Sequence, residues 1–447
     1  MKDKEKDINE IIESKGAKMV ENIEEYLNNY FKGAKKPSLH AMQYFMKEYD
    51  NFEKDMKFIH IAGTNGKGSC TEMITNILVK QGYKVGKFIS PHLIKYNERI
   101  SINNVNISDE DLRKLVEELE PKINRYNKEN NIDVTLFELE TTMALLYFYR
   151  NNVDFVVLET GLGGLYDCTN VITKPLVSII TSIGYDHIQM LGNTLTEIAA
   201  QKAGIIKENS NTVIFENNKE VDEVFINACK EKNNKLNIIR EKDIKNYRYD
   251  KDYQYFDYKN YKNIAVNLKG ICQVHNGGIC IETINILNQL GYMVEEESLR
   301  NGLSSVIHRG RMEVINKNPL IIYDGGHNEA AIENLKVTID MYYKELNKVF
   351  IISILKRKDY NKILELLMQD KDATFILTSG NSEEKYTSGE KLYKVAKKYT
   401  KKNQRIYVES LDNAIKEACD NNQKNTVTFV VGSFYIYGDV IKIIEKQ

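Results

Sequence analysis

Short apolar runs that end in polar, glycine-rich loops set the pattern of the first half of the chain. Amphipathic helical stretches at 23–30 and 42–49 precede the first run. Between the first two runs, residues 69–80 carry apolar positions at helical spacing. The alternation of strand and helix predicts a parallel α/β sheet. The predicted strands of this half are 58–62, 85–89, 155–158 and 177–180.

The loops that follow these strands are the natural place for a ligand. In open parallel sheets, ligands bind outside the carboxyl ends of the strands. We therefore expect loops 63–69, 159–170 and 181–187 to meet at one edge of the sheet.

From residue 320 the alternation becomes regular and predicts a second, smaller Rossmann-like sheet. Its predicted strands are 320–323, 349–354, 374–378, 406–408 and 427–431. The predicted fold class is α/β, a parallel-sheet domain over residues 1–308 followed by a smaller Rossmann-like α/β domain over 309–447. Residues 240–270, rich in Tyr, Asp and Lys, are interpreted as a small β-subregion of the first domain.

Composition narrows the class of protein further. Apolar residues make up 42% and charged residues 28%, and 62 Lys and Arg balance 63 Asp and Glu. A nucleic-acid binder would carry a basic excess, so no nucleic-acid partner is expected. No apolar run is long enough for a transmembrane helix, and the charged start MKDKEKDINE lacks the core of a secretion signal. A cytoplasmic monomer without a membrane partner is predicted.

A glycine-rich loop between the first strand and its helix has the chemistry of a phosphate site. Small residues allow backbone N–H groups to surround a phosphate, and the helix N-terminus adds the positive end of a dipole. Its lysine supplies a charge for the β- and γ-phosphates, and its serine offers a hydroxyl to phosphate or metal. This loop predicts that the first domain is a P-loop parallel-sheet ATPase domain. The predicted ATP-binding residues of the loop are Gly63, Thr64, Asn65, Gly66, Lys67, Gly68 and Ser69.

The loop sequence GTNGKGS resembles the ATP loop of the Mur ligase superfamily, in particular of the folylpolyglutamate synthase and dihydrofolate synthase family. Further motifs similar to that family's occur in its order over about residues 55 to 440. They are SPHL at 90–93, YNERI at 96–100, Phe137-Glu138, ETGLGG at 159–164, DCTN at 167–170, DH at 186–187, LGNT at 191–194, KAG at 202–204, Gly310-Arg311, DGGHN at 324–328 and GSFY at 432–435.

The chain also departs from the family pattern. Leu165 stands where the family's GGRLDATN motif has Arg, and Tyr166 follows it. Cys272 replaces a frequent His, while Gln273 and Asn276 remain. Loss of the Arg removes a cation from the region of the substrate carboxylate, which puts substrate choice in question more than the chemistry.

The resemblance implies an ATP-dependent amide ligase. ATP phosphorylates a substrate carboxylate, and the amino group of L-glutamate then attacks the acyl phosphate, releasing ADP and phosphate. The implied acceptors are a reduced folate, extended at its γ-carboxylate, and dihydropteroate. Negative charge accumulates in both steps, so the site must carry cations.

The resemblance further implies two Mg²⁺ ions, the first bound by Ser90 and Glu159 and the second by His187. It also implies that Lys202 is carbamylated by CO₂ and supports the second metal. An ammonium near two Mg²⁺ ions would be repelled, which lowers its pKa and leaves a neutral amine able to take up CO₂.

The remaining site residues come from the same resemblance. Asn276, Arg311 and Asp324 match positions that contact ATP. His327 is implied to help place the incoming glutamate, and Asp167 to orient the substrate or the attacking amine. The residues expected near the folate are Pro91, His92, Phe137 and Glu138. The histidines at 40, 60, 275 and 308 are expected to pack or to lie at the surface.

Two other functions stay open at this point. A cell-wall Mur ligase would add an amino acid to a UDP-sugar peptide, but its UDP-binding domain needs more than the 62 residues that precede Gly63. A non-catalytic ATP-binding module is supported only by Leu165 and Cys272. A phosphate-release assay with folate, glutamate and ATP separates these classes.

Overall fold

The strands of the computed structural model form three sheets over the residues that it describes, 23–30, 38–421 and 423–447. The large sheet has the order β4-β3-β2-β5-β1-β6-β7-β8, and only the pairings β2–β3 and β3–β4 are antiparallel. Its strands are β1 Phe58–Ala62, β2 Val85–Phe88, β3 Ile100–Ile102, β4 Val105–Asn106, β5 Phe155–Glu159, β6 Val177–Ile180, β7 Asn211–Phe215 and β8 Lys235–Ile239.

A small antiparallel sheet and a second mixed sheet follow along the chain. The small sheet contains β9 Ile244–Tyr249, β10 Gln254–Tyr258 and β11 Tyr261–Val266. The second α/β sheet has the order β12-β13-β17-β14-β15-β16, with β12 antiparallel to β13. Its strands are β12 Glu313–Asn316, β13 Leu320–Asp324, β14 Asn347–Ile352, β15 Thr374–Leu377, β16 Arg405–Val408 and β17 Thr426–Val431.

Helices cover the sheets and leave the strand ends free. They are α1 Ile23–Tyr30, α2 His40–Glu48, α3 Lys67–Lys80, α4 Asp109–Asn130, α5 Leu136–Arg150, α6 Ile188–Leu191, α7 Leu195–Ala203, α8 Lys219–Glu231, α9 Ile271–Gln289, α10 Glu296–Ser304, α11 Glu329–Tyr342, α12 Tyr360–Leu367, α13 Gly389–Ala396, α14 Leu411–Asp420 and α15 Tyr437–Ile444. In the described parts of the chain, no helix is both long and apolar enough to cross a bilayer.

Both faces of the large sheet are buried. Successive side chains of its central strands point to opposite faces, and each face packs into its own core. Phe58 of β1 and Val156 of β5 join one core with α4 and α5. Ile59 of β1 and Val157 of β5 join the opposite core, with α3 and α9. The continuous apolar runs of the sequence are therefore the central strands of a sandwiched parallel sheet.

The predicted fold class is confirmed, and the predicted strands agree with the structure to within one or two residues at their ends. Residues 240–270 do contain a separate small sheet. The sequence pattern missed β3, β4, β7, β8 and β12. β3 and β4 are very short, and β8 and β12 are edge strands with mixed exposure, so the hydrophobic signal of these four strands is weak.

Candidate active site

The loops that follow β1, β5 and β6 meet at one edge of the large sheet, as the sequence predicted. They line a cavity that the second α/β sheet closes from the other side. From the large sheet, the cavity is lined by residues 63–68, Ser90, Pro91, Arg99, Phe137, Glu159, 161–163, Asp167, Asp186, His187, Leu191 and Lys202. From the other side it is lined by Arg311, His327, Leu355, Arg357, Lys358 and residues 433–435.

The phosphate loop is held against β6 by backbone contacts that only small residues allow. A Cβ on Gly63 would lie 1.7 Å from Thr181 Oγ1, so no side chain fits there. Thr64 N donates to Ser182 O at 2.8 Å, and Thr181 Oγ1 donates to Asn65 O at 2.7 Å. Gly66 has φ +91° and precedes α3, which begins two residues earlier than predicted. The loop amides and the N-terminus of α3 thus form one concave surface.

Lys67 and Lys202 approach the same carbonyl of this loop from two directions. Lys67 Nζ donates to Gly63 O at 3.2 Å, and Lys202 Nζ donates to Gly63 O at 2.9 Å. Lys202 is 3% exposed. Burial, and then the charge of Lys67, lower the pKa of Lys202 to about 7. A large part of Lys202 is therefore a neutral amine at physiological pH.

Glu159 ends β5 as a buried carboxylate without an ion-pair partner among the described residues. Burial raises its pKa to about 7, although Lys67, a hydrogen bond from the Ser90 backbone and Arg311 oppose that rise. An added cation would satisfy this carboxylate. Ser90 lines the same cavity.

His187 completes the set of candidate metal ligands. Burial lowers its pKa to about 4, so the imidazole is neutral and can offer a nitrogen lone pair. In the described residues, no three His, Cys, Asp or Glu side chains gather into one metal site. Mg²⁺ keeps several waters and takes substrate phosphates as further ligands. Such a sparse donor set therefore fits Mg²⁺ better than it fits zinc.

Asp186 ties the first α/β unit to the second across the cavity. Its Oδ1 accepts from Lys358 Nζ at 2.5 Å, and its Oδ2 accepts from Asn328 Nδ2 at 3.2 Å. His327 Nε2 lies 3.5 Å from the same Oδ2. Burial alone would raise the pKa of Asp186, but the hydrogen bond with His327 and the charge of Lys358 outweigh it, and the pKa falls well below its usual range. Asp186 is therefore an anion that holds three side chains of the second unit.

A second pocket lies on the other side of the phosphate loop. Asn276, Arg311 and Asp324 line it together with Gly66 and Ser69, so the structure brings the predicted ATP residues together. Asp324 accepts from the backbone N–H groups of Met312 and Gly326. The further lining includes Phe215, Asn217, Lys269, His275, Asn334 and Thr338.

Three predicted substrate or catalytic residues make hydrogen bonds within the protein. Asp167 lines the cavity, but its Oδ2 accepts from Leu162 N at 2.7 Å and its Oδ1 from Thr169 N and Oγ1. Its carboxylate therefore orders the loop that follows β5, and its expected contact with the substrate or amine stays a prediction.

Glu138 and His92 also lie away from the cavity lining. The Glu138 carboxylate caps α5, where it accepts from Thr135 N and Oγ1. His92 Nδ1 accepts from Arg99 Nε at 2.9 Å, and its Nε2 lies 3.2 Å from a Glu24 carboxylate oxygen. Pro91 and Phe137 do line the cavity, so only these two of the four expected folate contacts are placed there.

Several residues in or beside the cavity were missed from the sequence. Arg357 and Lys358 follow β14, and a basic triplet one residue after a predicted strand was a usable signal. Asn328 was quoted only as part of a motif, yet it exchanges two amide hydrogen bonds with Asn65. His308 was expected to pack or face solvent, but its Nδ1 lies 3.1 Å from Ser69 Oγ. No local pattern could have indicated that contact.

Comparison with known proteins agrees with this geometry. Residues 61–283 match the Mur ligase middle domain family, and residues 309–443 match the dihydrofolate synthetase C-terminal domain family. The dihydrofolate synthase/folylpolyglutamate synthase of Bacillus subtilis is 33% identical over 424 residues, which cover 93% of this chain and 97% of that protein. The chain belongs to the dihydrofolate synthase/folylpolyglutamate synthase family.

Solved structures of this family share the whole fold. Folylpolyglutamate synthase from Thermotoga maritima superposes with a TM-score of 0.80 at 32% identity, covering 95% of this chain and 96% of that one. Escherichia coli FolC in complex with DHPP and ADP gives a TM-score of 0.81 at 26% identity, covering 94% and 96%.

The predicted family and enzyme class are thus confirmed. The chain is a ligase that adds glutamate to folates, with ATP as co-substrate. This membership also decides against the UDP-sugar peptide ligase.

Proposed function

We propose that this ligase joins L-glutamate both to dihydropteroate and to the γ-carboxylate of reduced folates, through an acyl phosphate. The observation that carries the proposal is the single cavity that joins the phosphate loop, the buried Lys202 and Glu159, and the Asp186 cluster of the second unit. A carboxylate to be activated can lie beside the nucleotide phosphates there, with space for an amine on the side of His327. The full-length similarity to a bifunctional relative supports both acceptors.

In the first step, an oxygen of the acceptor carboxylate attacks the γ-phosphorus, and ADP leaves. Lys67 and the loop amides stabilise the charge on the phosphates. Asn276, Arg311 and Asp324 hold the rest of the nucleotide from the second pocket, with Arg311 at the border of both cavities. Packing of the two units around this point excludes water from an intermediate that water would hydrolyse.

In the second step, the amine of glutamate attacks the acyl carbon, and inorganic phosphate leaves. The amine must lose a proton. His327 Nδ1 lies 3.0 Å from Gly325 O, and its Nε2 lies 3.5 Å from Asp186 Oδ2, so both ring nitrogens face oxygen acceptors. We therefore assign His327 to placing the incoming glutamate, and the proton of the amine to the departing phosphate. Asp186 fixes the orientation of the His327 ring.

The candidate metal ligands fit Mg²⁺ by their chemistry. Glu159 is a buried carboxylate that lacks a cation partner among the described residues, and His187 is a neutral imidazole. We assign Glu159 and Ser90 to one Mg²⁺ and His187 to a second. Bound there, Mg²⁺ would neutralise charge on the transferring phosphoryl group.

We propose that Lys202 carries a carbamate. The neutral amine adds to the carbon of CO₂, a nitrogen–carbon bond forms, and one proton is lost to water. The product places an anion at the end of the side chain, where it would support the second Mg²⁺.

Native protein equilibrated with ¹³C-bicarbonate should give one slowly exchanging carbamate carbon signal by NMR, absent in Lys202→Met. The signal should grow between about pH 6 and pH 8, because the amine loses its proton near its pKa of about 7. No signal in fully active enzyme would contradict the carbamate.

One assay tests the dual acceptor range. Phosphate release and product mass are measured with ATP, L-glutamate and either dihydropteroate or tetrahydrofolate monoglutamate. We expect glutamate-dependent phosphate release and a mass gain of one glutamyl residue with both acceptors. Activity with a single acceptor would remove the bifunctional assignment, and activity with neither would remove the proposed reaction.

Three expectations stay predictions. They are the boundary between domains 1–308 and 309–447, the monomeric state and the cytoplasmic location.

A further inference from the structure

We propose that His60, a fully buried residue of β1, positions the loop that follows β5 and thereby shapes the surface that binds the folate acceptor. It acts through the hydroxyl of Thr169 on the carboxylate of Asp167. This inference rests on the proposed function, since it presumes that the acceptor lies in the cavity that this loop lines. His60 was expected only to pack or to lie at the surface, and no step of the proposed mechanism uses it.

A continuous chain of hydrogen bonds joins His60 to Asp167. His60 Nε2 lies 2.8 Å from Thr169 Oγ1, and Thr169 Oγ1 lies 2.6 Å from Asp167 Oδ1. The exposed fractions of the three residues are 0%, 0% and 5%. The strand that carries His60, β1, lies inside the large sheet between β5 and β6. The chain therefore runs from an inner strand to the cavity wall without passing through solvent.

The direction of the first hydrogen bond follows from the nitrogen of His60 that has no partner. Burial, and then the charge of Lys207, lower the pKa of His60 to about 3, so the ring is neutral and carries one proton. In the part of the chain that the structure describes, Nδ1 of His60 is buried without a hydrogen-bond partner. A proton on Nδ1 would lack an acceptor, so the proton lies on Nε2, which donates to Thr169 Oγ1.

The second hydrogen bond follows from the first. Because Thr169 Oγ1 accepts from His60, its own proton is directed to Asp167 Oδ1. The acceptor side agrees, since Asp167 Oδ1 also accepts from Thr169 N at 3.0 Å and Asp167 Oδ2 accepts from Leu162 N at 2.7 Å. Without the His60 donor, the Thr169 hydroxyl could rotate away, and the carboxylate that holds the loop would lose one of its donors.

The loop that this chain orders forms one surface with the residues placed near the folate. A Cβ on Gly161 would lie 2.5 Å from Phe137 Cζ, so the loop backbone rests directly on the Phe137 ring. Phe137 and Pro91 line the same cavity as residues 161–163. The phosphate loop, in contrast, is held by residues 181–184. A displaced loop after β5 should therefore weaken acceptor binding and leave nucleotide binding unchanged.

The test measures KM for tetrahydrofolate monoglutamate, for ATP and for L-glutamate by phosphate release, using the full chain. His60→Leu removes the donor, and His60→Gln keeps an N–H donor at similar reach. We expect His60→Leu to raise KM for the folate about threefold to tenfold, the effect of one hydrogen bond, with the other two KM values unchanged. His60→Gln should restore most of the folate affinity.

A double-mutant cycle asks whether His60 acts through Thr169. Thr169→Val removes the hydroxyl but keeps the branched shape, and it should raise KM for the folate. Adding His60→Leu to it should cause no further rise. If His60→Leu folds poorly, Thr169→Val and Thr169→Ser carry the test, and Thr169→Ser, which keeps the hydroxyl, should bind the folate like the unmodified protein.

The matched control is Ser178→Ala. Ser178 lies opposite His60 on the neighbouring strand β6, is 0% exposed and donates to Ile205 O at 2.8 Å. This variant also loses one buried hydrogen bond of the large sheet, but that bond is not part of the chain to Asp167. All three KM values should stay those of the unmodified protein.

Three results would overturn the proposal. They are an unchanged KM for the folate in His60→Leu, an equal rise of KM for the folate and for ATP, and effects that multiply in the double variant. An equal rise would indicate a general loss of structure. If the unmodified protein releases no phosphate with tetrahydrofolate monoglutamate, the proposed reaction itself is contradicted, and no variant is needed to recognise that failure.

Discussion

The two strand-end edges that face each other across the cavity supply their cations in different ways. On the large sheet, Lys67 and Lys202 rest on a neutral backbone carbonyl, Gly63 O. On the second sheet, Lys358 is neutralised by Asp186. Lys67 therefore keeps its positive charge for an anionic ligand, whereas Lys358 uses its positive charge to hold the units together. Buried lysines of one cavity can thus serve binding on one side and assembly on the other.

The largest effect is expected from removing the free charge of the first edge. Lys67→Ala should reduce kcat by at least about 100-fold, because stabilisation of the phosphates is lost in a water-poor site. The melting temperature should hardly change, since Lys67 contacts only loop carbonyls. Steady-state kinetics and calorimetry measure both. Retention of more than about a tenth of kcat would refute the loop as the ATP site.

Removing Asp186, the large-sheet anion that pairs with Lys358 of the second edge, should affect both rate and stability. Asp186→Asn leaves Lys358 buried without a countercharge and removes the partner of His327. We expect a loss of about 3 kcal/mol in the free energy of unfolding, typical of a broken buried ion pair. Hydrogen exchange around residues 325–328 and 355–358 should accelerate. The matched control is Lys362→Ala, whose ammonium makes partly exposed ion pairs. Unchanged exchange in Asp186→Asn would show that this carboxylate does not hold the units.

Asp167 distinguishes a structural carboxylate from a catalytic one. Asp167→Ala leaves the Leu162 and Thr169 donors without their acceptor, which should reduce the free energy of unfolding by about 1–3 kcal/mol. The rate and the melting temperature should fall together, unlike in Lys67→Ala. Chemical denaturation measures the difference. A large loss of kcat with unchanged stability would return Asp167 to a direct catalytic role.

The smallest effect is expected at Leu165, where the family motif has Arg. Leu165 is 38% exposed, and its backbone N–H donates to Gln201 O at 2.7 Å beside Lys202. Leu165→Arg adds a cation near the cavity mouth and should lower KM for one acceptor about threefold, the effect of an exposed charge pair. KM is measured for Leu165→Arg and the unmodified protein with dihydropteroate and with tetrahydrofolate. If both KM values are the same in the two proteins, Leu165 has no part in substrate choice.

Prediction from sequence succeeded where the signal is local. Strand Phe58–Ala62, the phosphate loop and α3 follow one another along the chain. The strand is identified by its apolar run, the loop by its small residues and the helix by its apolar spacing. It was incomplete where a side chain has two plausible tasks. Asp167 and Glu138 are both acids next to functional motifs, and only their hydrogen-bond partners show that one orders a loop and the other caps a helix.

The sequence by itself determined the α/β fold class, the phosphate loop and the family, because short-range periodicity and ordered motifs carry that information. The tertiary structure alone decided which charged side chains are paired and which stay available to a ligand. Asp186 meets Lys358 across 172 residues, and Ser69 meets His308 across 239. The low pKa of Lys202 likewise arises from burial, which no neighbour in sequence imposes. Pairing and desolvation depend on distances between remote segments, and those exist only once the two sheets have packed around the cavity.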